Sequence, residues 1–273
     1  MQTNKEVPQP LLSYFGGKWQ LAPWILSFMP THRIYIEPFG GGGSVLLRKP
    51  RSHVEVYNDL DGEVVNIFRV LRDYPNELVR VIDLTPYSRD EYALACEPMR
   101  SDTVIEKARK AIVRSFFGFG STGLFDGPRP GFRTCDGVRY TTFANTWAKY
   151  ADSLLAIIER MKGVTIENKD ALDLISSWDL PETVFYVDPP YLPSIRRLKQ
   201  VYTYEMTEDQ HKDLLNRLCA LKGTVMVSGY ASELYDSLLS GWERHTRKVM
   251  ADGGRSSRAD RERTEVLWIK KPL

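Results

Sequence analysis

The chain has 273 residues, 42% of them hydrophobic and 26% charged, a balance that supports a packed core and excludes wholesale disorder. This length exceeds a typical single domain, so one α/β core carrying a sizeable insertion is expected. A formal net charge of +2 does not announce nucleic-acid binding, and any basic surface must be local.

Cys96, Cys135 and Cys219 are widely spaced and odd in number, which argues against a disulfide framework and fits a reducing cytoplasm. His32, His53, His211 and His245 show no metal-ligand spacing, so no metal is expected. The stretch MQTNKEVPQP lacks the apolar core of a signal peptide. No segment approaches ~20 uninterrupted apolar residues, so a cytoplasmic location and no membrane partner are expected.

In chain order, LLSYFGGK at 11–18 precedes Trp19, Ala22, Ile25, Leu26 and Met29, whose spacing predicts a helix running to Met29 with Pro23 in its first turn. Lys18 stands against the helix dipole, which suits an anionic partner; a surface lysine after a turn explains these residues equally simply. Ile34 to Glu37 reads as a short strand, and PFGGGGS at 38–44 as a glycine-rich turn into a helix over Val45 to Arg48. Bare backbone there allows close approach by a nucleotide-type ligand. The turn lacks the Gly-Lys-Ser/Thr ending of a phosphate-binding loop, and Leu46 stands where the third glycine of a dinucleotide fingerprint would fall.

A second strand, Val54 to Tyr57, ends at Asn58-Asp59-Leu60-Asp61, ahead of an amphipathic helix marked by Val64, Ile67, Phe68 and Leu71. An acid at this point is where α/β folds hold ribose hydroxyls, and Asp59 is the candidate. Helix capping competes for Asn58, Asp59 and Asp61 alike. From about Tyr74 to Tyr150 the strand–helix alternation lapses into a helical stretch near Val104 to Phe116 and then a run dense in glycine, aromatics and arginine. Arg114, Arg129, Arg133 and Arg139 interleave there with Phe117, Phe119, Phe125, Phe132 and Tyr140. That pattern suits phosphate contacts beside stacking residues, or equally a solvated loop region around a small aromatic core.

A helix over Asn145 to Met161 leads to a third strand, Val164 to Glu167, and Asp170 then either accepts from an adenine amino group or caps the following helix. The stretch VFYVDPPY at 184–191 organises the chain: a buried apolar strand is halted by two prolines that cannot continue its ladder. Asp188, the free carbonyl of Pro189 and the ring of Tyr191 therefore fall at the carboxyl end of a strand, where open sheets bind ligands. An amino group on a heteroaromatic base is a poor nucleophile until acceptors on its hydrogens localise its lone pair. Asp188 and the Pro189 carbonyl suit that task, and Tyr191 suits stacking, a contact worth roughly 1–3 kcal/mol per base.

Beyond it, Arg196, Arg197, Lys199, Tyr202 and Tyr204 mark a basic, aromatic loop able to act as a flap. Thr207 and Gln210 have capping-box spacing for a helix to Leu221. Thr224 to Ser228, Trp242 to Met250 and Glu265 to Ile269 complete a set of seven strands, with a helix over Ala231 to Leu239. Between the last two strands, Arg255, Arg258, Arg261 and Arg263 alternate with Asp260 and Glu262 in a locally basic loop, either a disordered connection or a phosphate clamp.

Taken together, SYFGGK at 13–18, YIEPFGGGGS at 35–44, NDLD at 58–61 and DPPY at 188–191 closely resemble the Dam-like DNA adenine methyltransferases, in the motif order called class alpha. The resemblance spans nearly the whole chain and implies a Rossmann-like, S-adenosylmethionine-dependent methyltransferase fold: α/β, with a seven-stranded mixed sheet and an inserted, mainly helical target-recognition lobe. It implies a catalytic domain over 1–73 and 151–273 and a DNA-recognition lobe over 74–150. By the same resemblance Tyr14, Lys18, Glu37, Pro38, Phe39, Gly40, Gly42, Asp59, Asp170 and Asp188 bind S-adenosylmethionine, while Asp188, Pro189, Pro190 and Tyr191 bind and activate the target adenine.

Double-stranded DNA is the implied partner, with Arg114, Arg129, Arg133, Arg139, Arg196, Arg197, Arg255 and Arg258 as candidate contacts and a monomer as the expected state. The insertion's SFFGFGSTGLF departs from the family's signature, so no GATC recognition sequence is carried over. The expected activity is methyl transfer to adenine N6 by base flipping. Cytosine N4, RNA adenine or a protein glutamine amide are alternative acceptors, and a nicotinamide dehydrogenase or a silent DNA-binding module are alternative classes.

Overall fold

The computed structural model describes residues 6–13, 16–98, 101–119, 131–134, 143–195, 202–250 and 262–272. Helix α1 (Ala22–Leu26) leads to strand β1 (Ile34–Glu37), the short α2 (Ser44–Arg48) and β2 (Val54–Asn58). Helices α3 (Gly62–Asp73), α4 (Pro75–Asp83), α5 (Arg89–Ala95), α6 (Val104–Phe117), α7 (Phe143–Trp147) and α8 (Tyr150–Met161) follow. The chain then runs through β3 (Thr165–Glu167), α9 (Ala171–Ser177), β4 (Thr183–Val187), α10 (Glu208–Ala220), β5 (Thr224–Tyr230), α11 (Glu233–Leu238), β6 (Glu243–Met250) and β7 (Glu262–Lys270).

The strands form one mixed sheet in the order β3-β2-β1-β4-β5-β7-β6. Strand β1 is parallel to both β2 and β4, and β4 to β5, while β7 runs antiparallel to β5 and β6. Numbering descends to β1 on one side and ascends from β4 on the other, so the winding reverses between β1 and β4. The carboxyl ends of two adjacent parallel strands at such a reversal leave a crevice for ligand. The sheet, its mixed character and its flanking helices are those of a Rossmann-like methyltransferase fold.

Contacts divide the chain into two compact units, one of residues 24–40, 51–60 and 167–273 and the other of residues 1–23, 41–50 and 61–166. In the first, β4 is buried at every position, as a central parallel strand covered on both faces requires. Ile36, Phe185, Val187, Val225, Val227 and Trp268 of the sheet pack with Leu214, Leu215 and Leu218 of α10 and Tyr235 of α11. Helix α10 opens with the expected capping box: Thr207 accepts from the Gln210 backbone N–H and Gln210 from that of Thr207.

The second unit is helical. Helix α3 turns Val64, Ile67, Phe68 and Leu71 inward at helical spacing, and Ala108, Ala111, Ile112, Leu154 and Ile157 are likewise buried. Arg109 holds Glu91 at 2.7 Å and Glu106 at 2.6 Å, tying α5 to α6. Around the carboxyl end of α6 an aromatic cluster forms: Phe117 lies 4.3 Å from Tyr87 and 4.8 Å from Trp147, and Phe132 5.1 Å from Tyr87. Of the aromatics interleaved with arginine, Phe117 and Phe132 therefore belong to a small core and Phe119 is exposed. Phe125 and Tyr140 lie outside the described residues.

Two elements differ from the periodicity. Beyond Leu26 the expected helix continues only as i→i+3 turns, from Ser27 to Trp24, Phe28 to Ile25 and Met29 to Leu26, because Pro30 forbids further helix. The helix expected over Asn145 to Met161 is broken between Trp147 and Tyr150. Asn145 and Thr146 are weak helix formers, and the Trp147 indole is pinned by donating to the Thr85 carbonyl at 2.7 Å.

Candidate active site

In the sheet-bearing unit, Glu37-Pro38-Phe39-Gly40 ends β1, Asn58-Asp59 ends β2 and Asp188-Pro189-Pro190-Tyr191 ends β4. These lie at the carboxyl ends of neighbouring parallel strands, as the sequence predicts. Asp170 follows β3 in the same unit. Lys18 and Gly42 belong to the helical unit, and Tyr14 lies outside the described residues.

A buried amide organises the crevice. Asn58, wholly buried, donates from Nδ2 to the Pro38 carbonyl at 2.8 Å and to the Lys169 carbonyl at 3.1 Å, while its Oδ1 accepts from the Lys169 N–H at 2.9 Å. Its own carbonyl accepts from the Gly40 N–H at 2.8 Å. One side chain thus fixes the loops after β1 and β3 against the end of β2. Gly40 has no room for a side chain: a Cβ there would fall 2.1 Å from Cε2 of the Tyr57 ring. Gly40→Ala is expected to displace the ring or the turn and destabilise the protein by about 1–3 kcal/mol, the usual cost of overpacking. A thermal melt indistinguishable from wild type would contradict that expectation.

Asp61, not Asp59, caps α3, accepting from the Glu63 N–H at 2.9 Å, so Asp59 is the acid of this pair outside the cap. Asp170 caps α9, its Oδ1 accepting from the Leu172 N–H at 2.8 Å. Glu37, 2% exposed, accepts from the Tyr35 hydroxyl at 2.7 Å. Phe39 is partly buried against the sheet core. Lys18 is not a surface lysine: it is 3% exposed, and its ammonium donates to the Gly16 carbonyl at 3.0 Å. Arg48 steadies the next residue, its guanidinium stacking 5.1 Å over the Trp19 ring and donating to the Trp19 carbonyl at 2.9 Å.

Asp188 is partly buried, and its Oδ1 accepts from the Ser228 hydroxyl of β5 at 2.8 Å. Tyr191 is 7% exposed and held twice: its ring stacks on Tyr230 at 4.5 Å, and its hydroxyl points between the two Glu265 oxygens at 3.3 and 3.4 Å. Tyr230 and Glu265 face each other across the β5–β7 ladder. Sequence reasoning passed over Asn58 as a loop clasp and over Ser228, Tyr230 and Glu265 entirely. The available signal was polar Ser228 and buried-acid Glu265 within apolar strands.

Burial pushes the Tyr191 phenol well above its ordinary value, with the Glu265 and Asp188 charges adding to it. Burial does the same for Tyr35, reinforced by Glu37, for Tyr235, reinforced by Asp188, and for Tyr150. Unfolded phenols ionise near about pH 10. Above that point the unfolded chain releases protons that the folded one retains, so this stabilisation is complete below about pH 10 and declines as pH rises beyond it. Denaturant midpoints should fall there, and part of the tyrosine absorbance change should appear only as the chain unfolds; ionisation of every tyrosine in a still-folded protein would refute this.

Among the candidate DNA contacts, Arg114 is paired with Glu63 at 2.5 Å and Arg133 stacks 5.0 Å over Phe143. Arg129, Arg139, Arg196, Arg197, Arg255 and Arg258 lie outside the described residues. No cluster among the described residues could hold a metal ion, and no described helix is long and apolar enough to cross a membrane.

A carboxylate and a proline backbone at the end of a central strand, in one unit with Gly40 at a topological switch point, suit the handling of an amino group with a nucleotide-like ligand alongside. Residues 14–252 match D12 class N6 adenine-specific DNA methyltransferases, and the chain belongs to that family. It is an adenine-specific DNA methyltransferase, acting at N6 on DNA and drawing on a methyl donor. It is 27% identical over 288 residues to the type II methyltransferase M1.LlaDCHI of Lactococcus lactis subsp. cremoris, covering 98% of this chain and 97% of that one. To the type II methyltransferase M.MjaIII of Methanocaldococcus jannaschii it is 25% identical over 209 residues, covering 68% and 70%.

Proposed function

We propose that the methyl donor is S-adenosylmethionine and that Asp188 activates a flipped adenine. The observation that carries this reading is Asp188 itself, a carboxylate at the mouth of the β1/β4 switch point with one oxygen already held by Ser228. The donor fits the chain: Asp59 stands at the end of β2, where ribose hydroxyls are held, and the β1 turn is held beside it by Asn58 at the Pro38 carbonyl and the Gly40 N–H. Glu37, Pro38, Phe39, Gly40, Asp59 and Asp170 would hold the donor here, and the family resemblance alone adds Tyr14, Lys18 and Gly42. When bound, S-adenosylmethionine supplies a methyl carbon made electrophilic by its sulfonium.

Extruding the adenine costs a few kcal/mol of stacking and pairing. Asp188 and the Pro189 carbonyl accept its two amino hydrogens, localising the nitrogen lone pair. As positive charge grows on nitrogen, the Asp188 carboxylate stabilises it electrostatically without acting as a strong base; the new N–C bond would replace the donor's C–S bond, and the amino proton would pass to solvent after transfer. Tyr191, fixed by Tyr230 and Glu265, presents an aromatic wall at the base site. Residues 74–150 form the DNA-recognition lobe of a catalytic domain made of 1–73 and 151–273, with the arginines outside the Glu63 and Phe143 pairings meeting phosphates. The names of the relatives support the modification half of a type II restriction–modification system, working as a monomer on double-stranded DNA in the cytoplasm.

Labelled S-adenosylmethionine incubated with unmethylated duplex DNA, followed by nucleoside analysis, tests this reading. Label in N6-methyldeoxyadenosine is expected. Label in N4-methylcytosine, or incorporation only into RNA or protein, would overturn it.

A further inference from the structure

Strand β5 runs parallel beside β4, with Met226 opposite Tyr186 and Val227 opposite Val187, so the next step along the ladder brings Ser228 level with Asp188. Side chains two apart share a face of a strand, and Tyr186 and Asp188 therefore flank the serine on one side of the sheet. The Ser228 hydroxyl donates to Asp188 Oδ1 at 2.8 Å and lies 2.8 Å from the Tyr186 hydroxyl. A serine has a single hydroxyl hydrogen, and an ionised carboxylate can only accept. With that hydrogen committed to Asp188, the Tyr186 hydroxyl must be the donor to Ser228.

We infer that Ser228 is a positioning residue for the reaction, the middle of a directed chain Tyr186→Ser228→Asp188 that fixes the plane of the Asp188 carboxylate. This rests on the role assigned to Asp188 above and extends it to the neighbouring strand. Ser228 and Tyr186 are each 1% exposed, so water does not compete for the chain, and hydrogen bonds in such surroundings reinforce one another. An ionised carboxylate is an acceptor alone, which suits an amino hydrogen and opposes a base carbonyl. Two residues on, the same face of β5 carries Tyr230 against the Tyr191 ring, so one strand steadies both the acid and the aromatic of the motif.

The test is a double-mutant cycle on turnover. Ser228→Ala is expected to lower kcat about 10- to 100-fold, the scale of a hydrogen bond to a charged group, with the KM for S-adenosylmethionine unchanged. Tyr186→Phe, which removes only a hydroxyl, should lower kcat in the same sense and by less. In an Asp188→Asn background, where the acceptor is a neutral amide oxygen, adding Ser228→Ala should cost less. Wild-type kcat in Ser228→Ala, or an undiminished loss in the Asp188→Asn background, overturns the inference. Should Ser228→Ala fail to fold, Tyr186→Phe decides it: reduced kcat at constant KM supports the chain, and unchanged kcat overturns it. An Asp188→Asn enzyme as active as wild type would instead remove the reading on which the inference rests.

Discussion

Asp188→Ala is expected to abolish measurable methylation, lowering single-turnover transfer by at least about 10²–10³-fold, the cost of removing one electrostatic stabiliser aimed at a developing charge. On the proposed reading the carboxylate does two things that alanine cannot: it accepts a hydrogen of the amino group, and it offsets positive charge as nitrogen is alkylated. The fold should survive. Asp188 lies beyond the last residue of β4, outside the ladder, and Ser228 keeps Tyr186 as a neighbour when the carboxylate is gone. Calorimetry should find S-adenosylmethionine binding largely retained, and the melt should stay near that of wild type. Turnover within a few-fold of wild type would show that the acid is not the activating group.

Asn58→Leu is expected to have the largest effect on stability of any single change at the site. Leucine has nearly the same size but leaves the Pro38 carbonyl, the Lys169 carbonyl and the Lys169 N–H without the partner they have now. A buried polar group stripped of its partner costs about 1–3 kcal/mol, so three together threaten about 3 kcal/mol or more. That is a large share of the roughly 5–15 kcal/mol that holds a typical protein folded. At roughly 2–4 °C per kcal/mol for a chain of this size class, the melting temperature should drop by about 10 °C. Donor binding should weaken as well, since the same amide sets the position of the β1 turn. A stable Asn58→Leu protein with normal affinity would mean that these loops hold their places independently.

Several parts of this arrangement are legible in the residue order alone. The β4 motif declares itself because an apolar run ending in Asp-Pro-Pro has few places to go in a sheet, and the glycine turn after β1 because only bare backbone tolerates that packing. The Thr207 cap and the seven strands follow from local chemistry in the same way. What local chemistry cannot give is who lies beside whom. Ser228 meets Asp188 only because β5 is placed next to β4, and Glu265 reaches Tyr191 only because β7 returns antiparallel along β5. Lys18 reads as an exposed cation at a helix start, yet it is buried with its ammonium turned back to Gly16. Arg114 reads as a phosphate contact, yet it is paired to Glu63, a residue of α3 with no sequence proximity to it.

The order in which the sheet is threaded has a consequence for the birth of the enzyme on the ribosome. The glycine turn and the Asn58 strand emerge before the Asp188 strand, with the helices from α3 to α9 made in between. Its two steadying partners are made later still: Ser228 sits in β5 and Glu265 in β7. A nascent chain that has already exposed its aspartate still lacks the serine that aims it and the acid that anchors the neighbouring tyrosine. Competence to modify DNA is thereby deferred until β7 has been made, and a product cut short after Leu221 would carry the motif without its alignment.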